Sequence, residues 1–160
     1  IYASMKDNHF QGSHSGYQHL GVAVERQIKL TEGKMLEVSD RTICSKHHQV
    51  EVPFHFVPNA VLNEASPGFW EISIEKNKFQ LINLGGCPTR LEKGWFSDSY
   101  GVMVPRPTLI FSRDSEFTEQ YNRHTFALDI VILMRNQTKA DYESSECKLS
   151  DLVNKKNFGE

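Results

Sequence analysis

Apolar residues recur at every second position along much of the chain. Val22, Val24, Ile28 and Leu30 share one phase, and Glu25, Gln27 and Lys29 share the other. Val50, Val52, Phe54 and Phe56 alternate with Gln49, Glu51 and His55. Trp70, Ile72 and Ile74 alternate with Glu71, Ser73 and Glu75. Phe126, Leu128, Ile130, Ile132 and Met134 share a phase, with Asp129 on the opposite one. Tyr100, Val102 and Val104 extend the pattern, as do Leu109 and Phe111. A period of two marks strands with one buried and one wet face. Turn chemistry separates the runs, at Thr31-Glu32-Gly33, Pro58-Asn59, Lys76-Asn77-Lys78, Gly85-Gly86, Pro105-Arg106-Pro107 and Ser112-Arg113-Asp114. Many short strands, each with one apolar face, predict an all-β fold, a two-layer antiparallel β-sandwich over residues 1–134. Its core should hold Val22, Val24, Val50, Val52, Phe54, Trp70, Ile72, Phe126, Leu128 and Ile130. Residues 135–160 are mostly polar and read as a C-terminal tail, with a short helix between Lys148 and Lys155 as its one candidate element.

Two residues break the binary pattern. Arg26 falls in the apolar phase of its strand, and Asp40 follows Leu36 and Val38 in theirs. Counting outward from the turn near Gly33 brings the two roughly opposite each other. A buried guanidinium needs a partner, because an unpaired buried charge is costly. The pair reads as a structural ion pair or as two groups facing a ligand.

Composition narrows the picture further. A chain of 160 residues is long enough to bury a core without staples. A net charge of −2 gives no pointer to nucleic acid or an anionic membrane. No apolar run approaches the ~20 residues that span a bilayer. Cys44, Cys87 and Cys147 form neither a disulfide framework nor a zinc pattern, and leave the redox compartment open. Asn136-Gln137-Thr138 is a sequon that matters only in a eukaryotic secretory setting. The start at Ile1, with no initiator Met, suggests a fragment of a larger protein.

The most legible stretches are His48-Gln49-Val50-Glu51-Val52-Pro53-Phe54-His55-Phe56-Val57-Pro58 and Gly94-Trp95-Phe96-Ser97-Asp98-Ser99-Tyr100-Gly101. With His14-Ser15-Gly16-Tyr17 and Leu20, the hairpin from Glu25-Arg26 to Asp40-Arg41, and Trp70-Glu71-Ile72-Ser73-Ile74-Glu75, they stand in an order that resembles the C-terminal β-sandwich domain of heparinase II/III-like polysaccharide lyases. The resemblance covers roughly residues 14–133. It implies a supersandwich-like fold, a parent chain with an N-terminal helical toroid as partner domain, an acidic polysaccharide in the cleft between them, and a bacterial periplasmic or cell-envelope setting. The implied reaction is β-elimination on a uronate such as heparan sulfate or alginate, which needs a stabiliser for the enolate and a base and acid. In the family much of that set belongs to the toroid, with a further His from a His-Asn-Thr-like segment. Asn8-His9-Phe10 and Arg123-His124-Thr125 depart from that segment. No catalytic residue is therefore assigned, and the chain by itself is expected to be inactive. A non-catalytic carbohydrate-binding or structural sandwich is the competing reading.

Three aromatics are candidate substrate-binding residues: Tyr17, Trp95 and Tyr100. Aromatic faces stack on the apolar faces of pyranose rings, and Trp95 sits beside glycines in a turn. Two of them have a structural alternative, Trp95 as a lid on the open end of the sandwich and Tyr17 as packing. Seven histidines raise the question of a divalent metal ion, which some family members hold through two His and an Asp. His48 and His55 lie an odd number of positions apart, so a regular strand points them to opposite faces unless Pro53 marks a bulge. His47 and His55 share a face with Glu51 between them, too far apart for one small ion. His55 is the metal-ligand candidate with partners elsewhere, Asp7 among them by family position. Ordinary hydrogen-bonded histidines are the alternative. Arg106, Arg113 and Arg123 are interleaved with Asp114, Glu116 and Glu119 and read as a solvated mixed face. Tyr17, His55, Trp95 and Tyr100, all in or beside turns, are expected to share one surface.

Overall fold

The computed structural model describes residues 1–31 and 34–134. The tail 135–160, with its candidate helix, sequon and Cys147, and the turn residues Glu32 and Gly33 lie outside the described residues. The chain forms twelve strands: β1 (Tyr2–Lys6), β2 (His9–His14), β3 (Val22–Thr31), β4 (Met35–Cys44), β5 (Gln49–His55), β6 (Val61–Ser66), β7 (Phe69–Ile74), β8 (Asn77–Asn83), β9 (Thr89–Phe96), β10 (Val104–Asp114), β11 (Glu116–Thr118) and β12 (Arg123–Met134). Two short 3₁₀ turns, Gln18–Leu20 and Glu119–Tyr121, are the only helical elements among the described residues. No helix among them is long and apolar enough to cross a membrane.

All pairings are antiparallel and form two sheets. The larger has nine strands in the order β1-β2-β3-β4-β12-β8-β7-β6, with β11 added on β12; the smaller is β5-β10-β9. The small sheet packs on one face of the large one. Leu109 and Phe111 from β10 meet Val38, Trp70, Ile72, Leu81, Phe126, Leu128 and Ile130 in a single core. The architecture is the expected β-sandwich. Among the expected core residues, Trp70, Ile72, Phe126, Leu128 and Ile130 are buried, while Val22, Val24, Val50, Val52 and Phe54 are half-buried. The gradient has a geometric cause. β5 is the edge of a three-stranded sheet, and β1, β2 and part of β3 run beyond its cover.

Two local features, the prolines of β10 and the placement of Tyr100 and Val102, differ from the sequence-based expectation, and a third decides an open alternative at Pro53. β10 runs unbroken through Pro105 and Pro107, which read as a turn. The Phe56 N–H donates to Pro107 O, so the odd residues of β10 face the β5 side there. β5 ends at His55, opposite Thr108, so the missing N–H groups of both prolines point past its end and break no ladder bond. Pro53 marks no bulge: β5 pairs with β10 in continuous register from Gln49 to His55, and the missing N–H of Pro53 lies on the free edge. Tyr100 and Val102 lie in the turn region between β9 and β10 rather than on a strand. Cys44 and Cys87 are buried free thiols. Burial pushes the Cys87 thiol pKa up, with Arg113 pulling against it.

Candidate functional site

The overhang of β2 and β3 beyond β5 leaves a groove between the two sheets. Its free volume is about 300 Å³, and its walls include Gly12, His14, Tyr17, Arg26, Asp40 and Thr42 from the large-sheet side and Val50, Glu51, Val52 and Pro53 from β5. Hairpin register places Arg26 directly opposite Asp40. The guanidinium makes a bidentate pair, Nε to Oδ1 at 2.6 Å and Nη2 to Oδ2 at 2.7 Å. The sequence predicted a buried Arg26. The structure corrects this: the Asp40 side chain is 5% exposed, but that of Arg26 is 40% exposed, because it lines the groove. The arginine also bridges the layers, with its Cζ 5.5 Å from the Phe54 ring centroid.

Gly12 opposes Arg26 in the β2–β3 ladder. A Cβ there would stand 2.7 Å from Cζ of Phe10, so glycine lets that ring fold over the strand. Hydrogen bonding to Asp40 pushes the Arg26 pKa up, burial pulls it down, and charge attraction to Asp40 adds to the rise. Arginine carries five N–H donors, and Asp40 takes two of them. The rest remain for a ligand, while the positive charge is largely cancelled. Such a group suits hydroxyl and ether oxygens better than a bare anion.

Tyr17 caps the 3₁₀ turn Gln18–Leu20 at the mouth of the groove and is 50% exposed. Gly21, at φ 71°, closes that turn, and a side chain there would collide with Ser45 Oγ. The His14 ring lies 5.4 Å from that of Tyr17. His14 Nδ1 accepts the Gly16 N–H at 3.2 Å, so the neutral ring carries its proton on Nε2. The groove thus offers an aromatic face with two donors beside it. His14, Gly12 and Phe54 were missed as site residues by sequence reasoning. Only the position of His14 three residues before Tyr17 could have hinted at a shared surface.

The other candidates lie elsewhere. Trp95 lies near the end of strand β9 rather than in a turn, and Tyr100 lies in the turn that follows. Trp95 is 53% exposed, with Lys93 Nζ 5.2 Å from its ring centroid, and Tyr100 is fully exposed. A separate hollow there, about 380 Å³, is lined by Trp95, Phe96, Ser97, Gly101, Val102 and Met103. His55 projects from the outer face of the small sheet, away from the core, and its Nδ1 shares a hydrogen bond with Thr108 Oγ1 at 3.0 Å. The four residues expected to share a surface therefore occupy three places. Tyr17 belongs to the Arg26 end of the sandwich, and Trp95 and Tyr100 to the opposite end, where β9 meets β10. Asp7 sits in the β1–β2 turn at the edge of the large sheet, and His55 lies on the small one. Among the described residues, no three His, Cys, Asp or Glu side chains are grouped as metal ligands.

Comparison with known proteins turns on the same layers. A search of curated proteins finds no match to the chain. Solved structures do match. The crystal structure of heparan sulfate lyase HepC from Pedobacter heparinus aligns with a TM-score of 0.64 at 16% identity, over 86% of this chain and 22% of that one. The heparinase III-BT4657 gene product aligns with a TM-score of 0.68 at 14% identity, over 85% of this chain and 22% of that one. A further heparinase III aligns with a TM-score of 0.66 at 12% identity, over 88% and 21%. At these identities the likeness shows the fold, and the chain spans about a fifth of the length of those structures. The model of the family "Heparinase II/III-like, C-terminal" matches residues 3–143. With nearly its whole length matched, the chain belongs to the heparinase II/III-like family as its C-terminal domain.

Proposed function

We propose that the chain is the accessory sandwich of a polysaccharide lyase that cleaves a uronate-containing glycan by β-elimination, and that it supplies part of the glycan-binding wall and none of the acid–base chemistry. The observation that carries this reading is the groove at Tyr17, where an exposed aromatic stands beside an arginine with spare donors. Family membership supports the lyase assignment. The proposed partner domain is an N-terminal helical toroid in the parent chain, with the polymer held between the two. Arg26 and the His14 Nε2–H donate to sugar hydroxyls, and Tyr17 stacks on a pyranose face. The guanidinium is already paired with Asp40, so it is poorly suited to neutralising a substrate carboxylate, the first requirement of the elimination.

A second reading is a carbohydrate-binding module that works through Trp95 and Tyr100. It is favoured by the exposure of both rings. One calorimetric titration separates the two. Heparan-sulfate oligosaccharide should bind the 160-residue chain, and Tyr17→Ala should weaken it by about five- to tenfold, an aromatic stacking contact being worth roughly 1 kcal/mol. Trp95→Ala should leave the affinity within twofold. The reverse ranking would move the glycan to the β9–β10 connection, and the absence of any saturable binding would end both readings.

A further inference from the structure

The turn that carries Tyr17 is fastened to the connection that leads into the facing wall of the groove. Residues 15–21 link β2 to β3, and residues 45–48 carry the chain from β4 in the large sheet to β5 in the small one. Tyr17 O accepts two N–H groups, from Leu20 at 2.9 Å and from Val22 at 3.2 Å. The Gln18 N–H donates to Ser15 O at 3.0 Å, and the Gly21 N–H donates to Gln18 O at 2.9 Å. The Ser45 N–H then ties the turn to the crossing by donating to Gly21 O at 2.9 Å. Three residues on, His48 and Ser115 exchange hydrogen bonds, His48 N–H to Ser115 Oγ at 2.9 Å and Ser115 N–H to His48 O at 2.8 Å. Ser115 is buried where the chain crosses back from β10 to β11. Both crossings are thus pinned together, and β5 starts at the next residue, Gln49.

Gly21 permits this contact in two ways. Its φ lies in the left-handed region, which glycine enters at no steric cost. A Cβ there would also collide with Ser45 Oγ and stand 3.0 Å from Ser45 Cβ. The other positive-φ glycines among the described residues have no such neighbour. The nearest atom to a Cβ on Gly68 is 3.5 Å away, and Gly86 and Gly101 have nothing within 4 Å. A side chain at position 21 must therefore push the turn and the crossing apart, or turn the Ser45 hydroxyl aside and still press on its Cβ. Neither Gly21 nor Ser45 is among the groove walls. Their effect on the groove passes through the backbone, because Val22, the neighbour of Gly21, is bonded to Tyr17 O.

We infer that Gly21 and Ser45 are positioning residues that hold the Tyr17 ring against His14 at the mouth of the groove, ready to stack on a saccharide that neither of them touches. The saccharide in this statement rests on the proposed function; the clamp rests on the turn geometry alone. A ring fixed before binding spares the ligand the cost of ordering it, so loosening the turn weakens binding even with Tyr17 intact.

The test is a calorimetric titration of heparan-sulfate oligosaccharide into the 160-residue chain and its Gly21→Asn variant, alone and combined with Ser45→Gly or with Tyr17→Ala. Asparagine tolerates the left-handed backbone, so what remains is its Cβ against Ser45. Gly21→Asn should weaken binding by about fivefold, most of the loss expected for the stacking contact itself. Gly86→Asn makes the same change at a positive-φ glycine facing open space and should stay within about twofold of the parent. Ser45→Gly removes the obstructing atoms and keeps the amide that bonds Gly21 O, so it should restore Gly21→Asn to within about twofold. In the Tyr17→Ala background Gly21→Asn should cost less than about twofold more, because the two act through one ring. The nuclear Overhauser contact between the His14 and Tyr17 rings should weaken in Gly21→Asn and return with Ser45→Gly. Gly21→Ala sets the same Cβ against Ser45 and is read in parallel, so the outcome does not hang on the folding of one variant. Parent-like binding in Gly21→Asn, an equal loss with and without Tyr17, or a loss that Ser45→Gly leaves in place overturns the clamp. If Tyr17→Ala weakens binding and Gly21→Asn does not, the groove reading stands and the clamp alone falls. If neither weakens it, both fall.

Discussion

Replacing Phe111 by alanine is expected to cost about 3–5 kcal/mol of stability, whereas Trp95→Ala should cost less than about 1 kcal/mol. Both residues are large aromatics on the small sheet, and composition does not separate them. Their surroundings do. Phe111 is fully buried, and its ring meets Phe54 edge-on at 5.4 Å in the core between the layers. Truncation there leaves a cavity that neighbouring strands, tied into two ladders, cannot collapse to fill. Phe111 pairs with Val52 on one side and Thr89 on the other, so the backbone at the site is held from both edges. Trp95 lies near the end of edge strand β9 with half its surface in water, so little apolar area is lost from burial when it is cut back. For a domain of this size each kcal/mol moves the melting temperature by about 2–4 °C, so thermal unfolding should separate the variants by roughly 10 °C. Similar melting temperatures would mean that the two sheets do not share one core.

Arg26→Met is expected to destabilise the chain by about 3–5 kcal/mol, and Lys29→Met by less than about 0.5 kcal/mol. The two cations sit on one strand but in opposite phases. Lys29 reaches Glu37 at 3.5 Å on the wet face, with 59% of its side chain exposed. Arg26 holds a carboxylate that is almost wholly buried. Methionine fills a similar volume but leaves both Asp40 oxygens without their donors. The exposure of Arg26 makes the pair asymmetric. Asp40→Ala leaves a guanidinium that can still reach water through the groove, so it should cost less than Arg26→Met. Denaturant titration gives all three values, and equal midpoints for Arg26→Met and Lys29→Met would show that Asp40 finds its counter-charge elsewhere.

Local alternation made the sandwich legible, because strands with one covered face must alternate. It also placed Arg26 opposite Asp40, because a tight hairpin fixes its own register. Long-range pairing left no such trace. β4 lies against β12, with Ile43 opposite Thr125 and Met35 opposite Leu133, and no period in either strand names the other. The division into nine strands and three followed from that pairing and was hidden with it. β1 shows why alternation left no reading at the start of the chain. All its residues are exposed, since no second layer reaches that edge, so it has no apolar phase to read. Tyr100 had the opposite fault, matching the phase of Val102 and Val104 while standing in a turn. For the site, Tyr17 was legible as an aromatic near glycines. The groove was not, because it arises from one sheet overhanging another.

The central claim is that this chain supplies surface to a lyase and none of the chemistry. Elimination leaves an unsaturated uronate that absorbs in the near ultraviolet. The most direct measurement is the absorbance of heparan sulfate incubated with the purified 160-residue chain. The account predicts a flat trace. A time-dependent rise that persists through purification, and disappears in His55→Ala or Tyr100→Phe, would place the catalytic groups in the sandwich and contradict it.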